Sequence, residues 1–188
     1  MAVGLSPGQA ALLVWLAWGL SWLAAAPWSD KSARRMLGRR ENLYRVIHVV
    51  GILLLFGIIG PDHGLWQAGA GWPWVGVAFT ALGFLFCWWA RLHLGRLWSA
   101  NVARKAAHRV IDSGPYRVVR HPIYSGIILA GFATAFTRGT VAAALGAVLL
   151  AFSWYLKARL EEQFLRAELG AAYDAYAART KMLVPFIF

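Results

Sequence analysis

Apolar residues along this chain are gathered into long blocks separated by polar, basic segments. The blocks cover about 9–26, 44–60 and 73–90, each near the ~20 residues a helix needs to cross a bilayer. A fourth block, 122–157, is long enough for two spans and is interrupted by Thr137, Arg138, Gly139 and Thr140, which supply turn chemistry and a charge. The pattern therefore predicts an all-α integral membrane protein of five transmembrane helices over about 9–26, 44–60, 73–90, 122–137 and 140–157. The last two form a tight hairpin. A cytoplasmic loop, 91–121, and a C-terminal helix and tail, 158–188, complete one membrane domain over 1–188.

Composition agrees with this reading. Of 188 residues, 60% are hydrophobic and 11 are Trp, and mean hydropathy is +0.54, above the roughly 45–50% apolar share of soluble domains. The first block is followed by Ala24, Ala25, Ala26 and Pro27, which resemble a small-residue cleavage site. No Lys or Arg precedes the block, so the basic start of a signal peptide is missing and a retained span is expected.

Charge sets the orientation. Lys31, Arg34, Arg35, Arg39 and Arg40 fall between the first two spans, Arg45 sits at the start of the second, and Arg91, Arg96, Arg104, Lys105, Arg109, Arg117 and Arg120 lie around the loop after the third. The tail adds Lys157, Arg159, Arg166, Arg179 and Lys181, leaving Arg138 for the opposite face. The positive-inside rule makes the basic side cytoplasmic and places the N-terminus outside. Topology and anionic headgroups account for the net charge of +11, which argues against a nucleic-acid partner. The single cysteine, Cys87, lies in the third span and says nothing of redox compartment. The five histidines share no ligand spacing, so no metal site is expected. Gly69, Ala70 and Gly71 follow no strand and face outward, which rules out a phosphate loop.

The loop 91–121 is too polar to span and too long for a minimal connection, so it is expected to fold over the cytoplasmic mouth of the bundle. It ends in "GPYRVVRHPIYSG", residues 114–126. Gly114 and Pro115 signal a turn, and Pro122 suits the first position of a helix. The free N–H groups of that helix, beside Arg117, Arg120 and His121, make a site for an anion. Gly126, Ala130 and Thr134 follow at helical spacing and predict close packing with a neighbouring helix. Trp15, Trp18, Trp22 and Trp89 suit either an aromatic belt or a lateral opening to lipid.

A second polar group closes the fifth span. Lys157 and Glu161 are four residues apart and share a helix face; Glu161 and Glu162 are about 100° apart, which predicts that they cannot act as a close pair. One carboxylate is expected to turn toward the start of the fourth span.

Taken in order, His108 with Tyr116, "GPYRVVRHPIYSG", "EEQFL", "LGAAYDAY" and "LVPF" strongly resemble the integral-membrane isoprenylcysteine carboxyl methyltransferases and their prokaryotic relatives, which are related to phospholipid methyltransferases. These motifs cover about 95–186, and the first two spans resemble the family in hydropathy alone. The resemblance implies S-adenosyl-L-methionine bound between the last two spans, the preceding loop and the C-terminal helix. It implies cofactor contacts from Asn101, His108, Arg109, Val110, Ile111, Tyr116, His121, Pro122, Ile123, Tyr124 and Glu161. It also implies catalytic roles for Arg120, Lys157 and Glu161, with Arg120 and Lys157 orienting an anionic acceptor.

Two departures stand out. Val110 and Ile111 replace the usual Leu-Val pair, and Lys157 stands where eukaryotic members carry Arg. Lys keeps the charge without the bidentate fork that suits a carboxylate, so the acceptor is left open among a lipid-like or membrane-partitioned carboxylate, thiol or amine. An amine acceptor needs a base, for which Glu162 and Tyr116 are the candidates. Two other classes compete with the methyltransferase: an NADPH-dependent membrane reductase related to sterol reductases, and a non-enzymatic membrane scaffold.

Overall fold

A computed structural model describes residues 4–28, 34–35, 39–61, 63–67, 69, 71–95, 103–104 and 110–187. Among the described residues six α-helices carry the fold: α1 (Pro7–Ala24), α2 (Arg39–Leu55), α3 (Trp72–Leu94), α4 (Pro122–Arg138), α5 (Val141–Leu169) and α6 (Ala171–Arg179). The segments β1 (Arg34–Arg35) and β2 (Ala103–Arg104) pair antiparallel, joining the two basic connections. Helices α3 and α5, of 23 and 29 residues, are long and apolar enough to cross a membrane by length and composition. Each of the five expected apolar blocks overlaps a helix; α2 stops at Leu55, short of the expected end at 60, and α5 runs without a break past Lys157 to Leu169.

Local chemistry fixes the helix ends near the site. Helix α1 opens on a capping box, with Ser6 and Gln9 bonded reciprocally. Helix α4 opens with Pro122 at its first position after a non-helical His121, and closes on Gly139 at φ 65°, a left-handed position that suits glycine. Thr140 then accepts the N–H of Ala143 at 3.2 Å and starts α5. The expected hairpin at residues 137–140 is present, and residues 63–66 lie against it, with Val141 N–H donating to His63 O at 3.0 Å and Leu65 N–H to Gly139 O at 2.7 Å.

Packing runs mainly in two pairs, α3 with α4 and α2 with α5, with α4 also against α5. The α3–α4 crossing depends on glycine. A Cβ on Gly126 would sit 2.5 Å from Gly83 O and 2.6 Å from Cys87 Sγ, and one on Gly83 would sit 2.5 Å from Gly126 O. Ala130 and Thr134 continue this buried face, as their spacing predicts. Thr134 also ties in α1: it accepts from Trp15 Nε1 at 2.9 Å and lies 3.2 Å from Thr80 Oγ1.

The tryptophans of α1 face the bundle. Trp15 and Trp18 pack on Phe84 of α3 with ring centroids 4.8 and 4.5 Å apart, and Trp22 packs on Trp88 at 5.4 Å. Trp89 stays about half exposed. Arg91, grouped by sequence with the headgroup-facing charges, is fully buried. Its guanidinium donates to Gly95 O and to Ala25 O at the end of α1, beside the Trp22 and Trp28 rings. A buried charge needs such acceptors, and here they lock α1 to α3.

The glycine crossing gives a direct test. Gly126→Val should force α3 and α4 apart and cost about 1–3 kcal/mol or more through overpacking, read as a lower thermal midpoint in detergent. Gly19→Ala, where a Cβ meets nothing within 4 Å, should leave the midpoint unchanged or raise it. Equal midpoints for the two variants would contradict the close crossing.

Candidate functional site

The site forms where three chain segments meet: the turn leading into α4, the end of α5 beyond its apolar stretch, and the C-terminal tail. A 3-10 turn over Gly114–Arg117, with Gly114 at φ 56°, brings the chain to α4, and Pro115 and Tyr116 are buried in it. The tail then lies along this segment. Arg120 N–H donates to Lys181 O at 2.8 Å, His121 N–H to Met182 O at 3.1 Å, and Ser125 Oγ–H to Leu183 O at 2.6 Å. Tyr176 of α6 donates to Tyr116 O at 2.6 Å. Backbone groups here that cannot join a helix find partners in the tail.

His121 is the centre of the site. It is buried, with Nε2 at 3.3 Å from Glu162 Oε1 and Nδ1 at 3.6 Å from Glu161 Oε2. The adjacent glutamates do not pair with each other, but both meet the same imidazole, a convergence that helix spacing does not show. Their Cα–Cβ vectors do diverge, but the two long side chains reach round to opposite edges of one imidazole. Glu162 also accepts from Arg120 Nε at 2.6 Å. The guanidinium continues to Ala177 O at 3.0 Å and to Thr180 O, and so satisfies carbonyls at the end of α6. Arg120, expected beside an anionic acceptor, is engaged by Glu162 and the tail.

Glu161 faces the other way. It accepts from the Tyr124 hydroxyl at 2.5 Å, and its side chain is 18% exposed against 8% for Glu162. The rings of His121 and Tyr124 stack at 5.3 Å and 4°, and Tyr124 packs on Trp154 at 4.5 Å. Lys157 is buried, with Nζ 5.2 Å from the Tyr124 ring and 5.0 Å from the Trp154 ring. Trp154, Lys157 and Glu161 thus form one stripe along α5, at the spacing of one helix face. Pro122 and Ile123 are buried beside His121, and Val110 and Ile111 are partly buried. The structure brings together Tyr116, Arg120, His121, Tyr124, Lys157 and Glu161. Asn101, His108 and Arg109 lie outside the described residues.

Two residues not singled out from sequence, Trp154 and Ser153, contribute to the site, and Glu162, considered only as a base, has a different part in it. Glu162 is the hub between Arg120 and His121, Trp154 carries the aromatic wall onward, and Ser153 is buried next to it. The i, i+4 spacing of Ser153, Lys157 and Glu161 is the sequence signal for this face. Among the described residues no cluster of metal-ligating side chains occurs.

Electrostatics of the groups before α4 and beyond the apolar stretch of α5 follow from this geometry. Burial opposes a charged His121, yet its bonds to Glu161 and Glu162 hold its pKa above the ordinary 6.5. Burial would likewise raise Glu162, but the bonds from His121 and Arg120 hold it down to about 2, below the ordinary 4.5. Burial, followed by the nearby Tyr176 and Glu161, pushes the Tyr116 phenol well up. Neither of the two candidate bases is therefore well suited to take a proton. Glu162 is tied up and weakly basic, and Tyr116 keeps its own proton.

Both groups contribute stability, with opposite dependence on pH. That of His121 is full below pH 6.5 and is lost as pH rises through its elevated folded-state value; that of Glu162 is full above pH 4.5 and is lost as pH falls toward about 2. The difference in thermal midpoint between the wild type and Glu162→Gln should therefore be greatest between pH 4.5 and 6.5 and shrink on both sides. At the maximum the loss should be about 3–5 kcal/mol, the cost of breaking a buried pair. A pH-independent difference would contradict the shared carboxylate.

Comparison with known proteins places this geometry. The family model for phospholipid methyltransferases matches residues 72–172, more than half of the chain. Methanethiol S-methyltransferase 2 of Bradyrhizobium diazoefficiens is 40% identical over 167 residues, covering 81% of this chain and 62% of that protein. Protein-S-isoprenylcysteine O-methyltransferase B of Arabidopsis thaliana is 26% identical over 88 residues, 46% of this chain and 45% of that one. The cobalt-zinc-cadmium resistance protein CzcN of Cupriavidus metallidurans is 31% identical over 153 residues, 78% of this chain and 63% of that one. Less than two thirds of the length of each of these relatives is matched. With α3 to α5, and Arg120, His121, Tyr124, Lys157, Glu161 and Glu162 among them, inside the matched range, the chain belongs to the phospholipid methyltransferase family.

Proposed function

We propose that the chain is a membrane-embedded methyltransferase that moves a methyl group from S-adenosyl-L-methionine to a lipid-like or membrane-partitioned acceptor. Family membership favours this chemistry over a reductase or a scaffold. The observation that carries the reading is the Glu161 carboxylate, partly exposed and aimed beside the stacked His121 and Tyr124 rings at the N-terminus of α4.

The residues present fit this cofactor. Its methionine end carries a carboxylate and an ammonium. The first-turn N–H groups of α4 suit the carboxylate, since no intrahelical partner exists for them. Glu161 suits the ammonium, and the Tyr124 face suits a cation. His121, Pro122, Ile123 and Tyr124 form this wall, with Tyr116 behind it; Asn101, His108, Arg109, Val110 and Ile111 are proposed to close the pocket from the preceding segment. When bound, S-adenosyl-L-methionine supplies a methyl group already activated on a sulfonium, so the protein's main contribution is orientation. Lys157, at the boundary between this wall and the apolar bundle, orients an acceptor that carries negative charge. Arg120 acts through Glu162 and the tail as a positioning residue for His121.

The same reading extends to topology. Helices α1 to α5 are taken as five spans with the N-terminus outside and the site facing the cytoplasm. The large apolar side chains that cover their outer faces support this: Leu16, Leu20 and Leu23 on α1, Leu82 and Leu85 on α3, and Leu145 and Val148 on α5 are all more than half exposed. Such surface is stable in lipid and costly in water.

Calorimetry on the detergent-purified protein tests the reading. S-adenosylhomocysteine should bind, and Glu161→Ala or His121→Ala should weaken it at least tenfold, about 1.4 kcal/mol. Folded wild-type protein that fails to bind it would overturn the proposal.

A further inference from the structure

A second feature lies on the far side of the aromatic wall. A cavity of about 280 Å³ opens between α2 and α5, walled by Tyr44, Arg45 and His48 from α2 and by Ser153, Trp154 and Lys157 from α5. It adjoins the proposed cofactor wall, because Trp154 packs on Tyr124 and Lys157 lies over both rings. The cavity is at the small end of ligand sites, so the part of a ligand that enters it is small.

His48 is poised in this cavity by a chain of hydrogen bonds. Ser153 Oγ is buried and gives its single proton to Leu150 O at 2.7 Å. The contact of 3.3 Å between Ser153 Oγ and His48 Nδ1 is therefore an Nδ1–H donated to oxygen. In the neutral imidazole this leaves Nε2 as the acceptor, with no partner among the described residues. The ring is held edge to face against Trp154, 5.3 Å away, and the buried Trp154 indole N–H also lacks an acceptor there.

We infer that this cavity receives the reacting end of the methyl acceptor, that the acceptor is a small apolar thiol, and that His48 Nε2 takes its proton. The inference rests on the methyl-transfer reading above. A thiol must lose a proton to become a good nucleophile, whereas a carboxylate carries none at neutral pH and leaves such a base without work, and an amine would enter as an ammonium, which the Lys157 cation in the wall repels. The two bases considered from sequence are disabled, Glu162 by Arg120 and His121, and Tyr116 by burial. Lys157 supplies a cation for the thiolate, and the apolar walls suit a short alkyl group. In the step, the S–H bond breaks, its proton goes to Nε2 and its electron pair stays on sulfur. That pair forms the new S–CH3 bond as the methyl's bond to the donor sulfonium breaks, returning its electrons to the donor sulfur. His48 then releases the proton to solvent at the Arg45 rim, where that side chain is 52% exposed.

Several groups face His48 and shape its titration. On its own helix are Arg45, paired with Glu41 at 2.6 Å, and Tyr44, which donates to Glu41. Across from it on α5 is Lys157, and beyond Trp154 on α4 is Tyr124.

The test compares wild type with His48→Gln and Ser153→Ala, using ethanethiol as the probe acceptor with labelled S-adenosyl-L-methionine. Gln can still donate to Ser153 but offers no basic nitrogen. His48→Gln should bind S-adenosylhomocysteine within twofold of wild type, lose about 100-fold or more in kcat/KM for ethanethiol, and lose the acid limb of the pH profile. Ser153→Ala should lose about tenfold and keep that limb. Independently of turnover, wild type mixed with ethanethiol and S-adenosylhomocysteine at neutral pH should show the ultraviolet band of a thiolate, and His48→Gln should not. A His48→Gln enzyme with wild-type rate and acid limb, or a wild type that binds S-adenosylhomocysteine yet methylates a prenylcysteine carboxylate and shows no thiolate band, overturns the inference. Failure of wild type to bind S-adenosylhomocysteine would instead sink the methyl-transfer reading itself.

Discussion

One carboxylate holds the functional end of this molecule together. Glu162 accepts from Arg120 and from His121 at once, and Arg120 passes the connection to the last carbonyls of α6. Three parts of the chain are joined through one acidic group, Arg120 at the start of α4 being 42 residues from Glu162 and 57 from Ala177. A buried negative charge is tolerable only with such partners, and the same partners fix the ring of His121. From that ring the order continues outward: His121 stacks on Tyr124, Tyr124 on Trp154, and Trp154 meets His48. The aromatic series crosses from α4 to α5 to α2 and links the carboxylate cluster to the cavity beside His48.

The bundle supplies the stiffness that this arrangement requires. Where α3 and α4 cross, backbone touches backbone because Gly83 and Gly126 carry no side chains. Gly51 and Gly146 do the same for α2 and α5, where a Cβ on Gly51 would stand 2.9 Å from Leu150 N. Helices packed this closely gain van der Waals contact without needing a hydrophobic drive, which is weak inside lipid. The spacing of α3 from α4 and of α2 from α5 is therefore set by main chain rather than by rotamers.

Much of this is legible in the sequence. Apolar blocks locate the helices, Pro122 and Gly139 mark the ends of α4, and the Gly126, Ala130 and Thr134 series identifies a packed face. The order of motifs from His108 to "LVPF" points to the family. What escapes reading has a physical cause in each case. Angular spacing on a helix describes Cβ directions, and it fails for Glu161 and Glu162 because two long side chains converge on a flat ring with nitrogens on opposite edges. The tail's bonds to Arg120, His121 and Ser125 are pairings to main-chain carbonyls with no periodic signature. His48 reads as an isolated histidine in an apolar block, since its partner Ser153 lies 105 positions away and only the α2–α5 pairing brings them together. Arg91 is misread for the same reason: its acceptor at Ala25 belongs to the end of another helix.

The tail's place beside His121 also bears on biogenesis. Lys181, Met182 and Leu183 follow every helix in chain order, yet their carbonyls complete the hydrogen bonding of the segment that opens α4. During synthesis the bundle helices leave the ribosome before these residues do. The start of α4 must wait, with its polar backbone hydrated at the membrane surface, until the tail arrives. A nascent chain still lacking those residues therefore carries the helices before the hydrogen bonding at the start of α4 is complete.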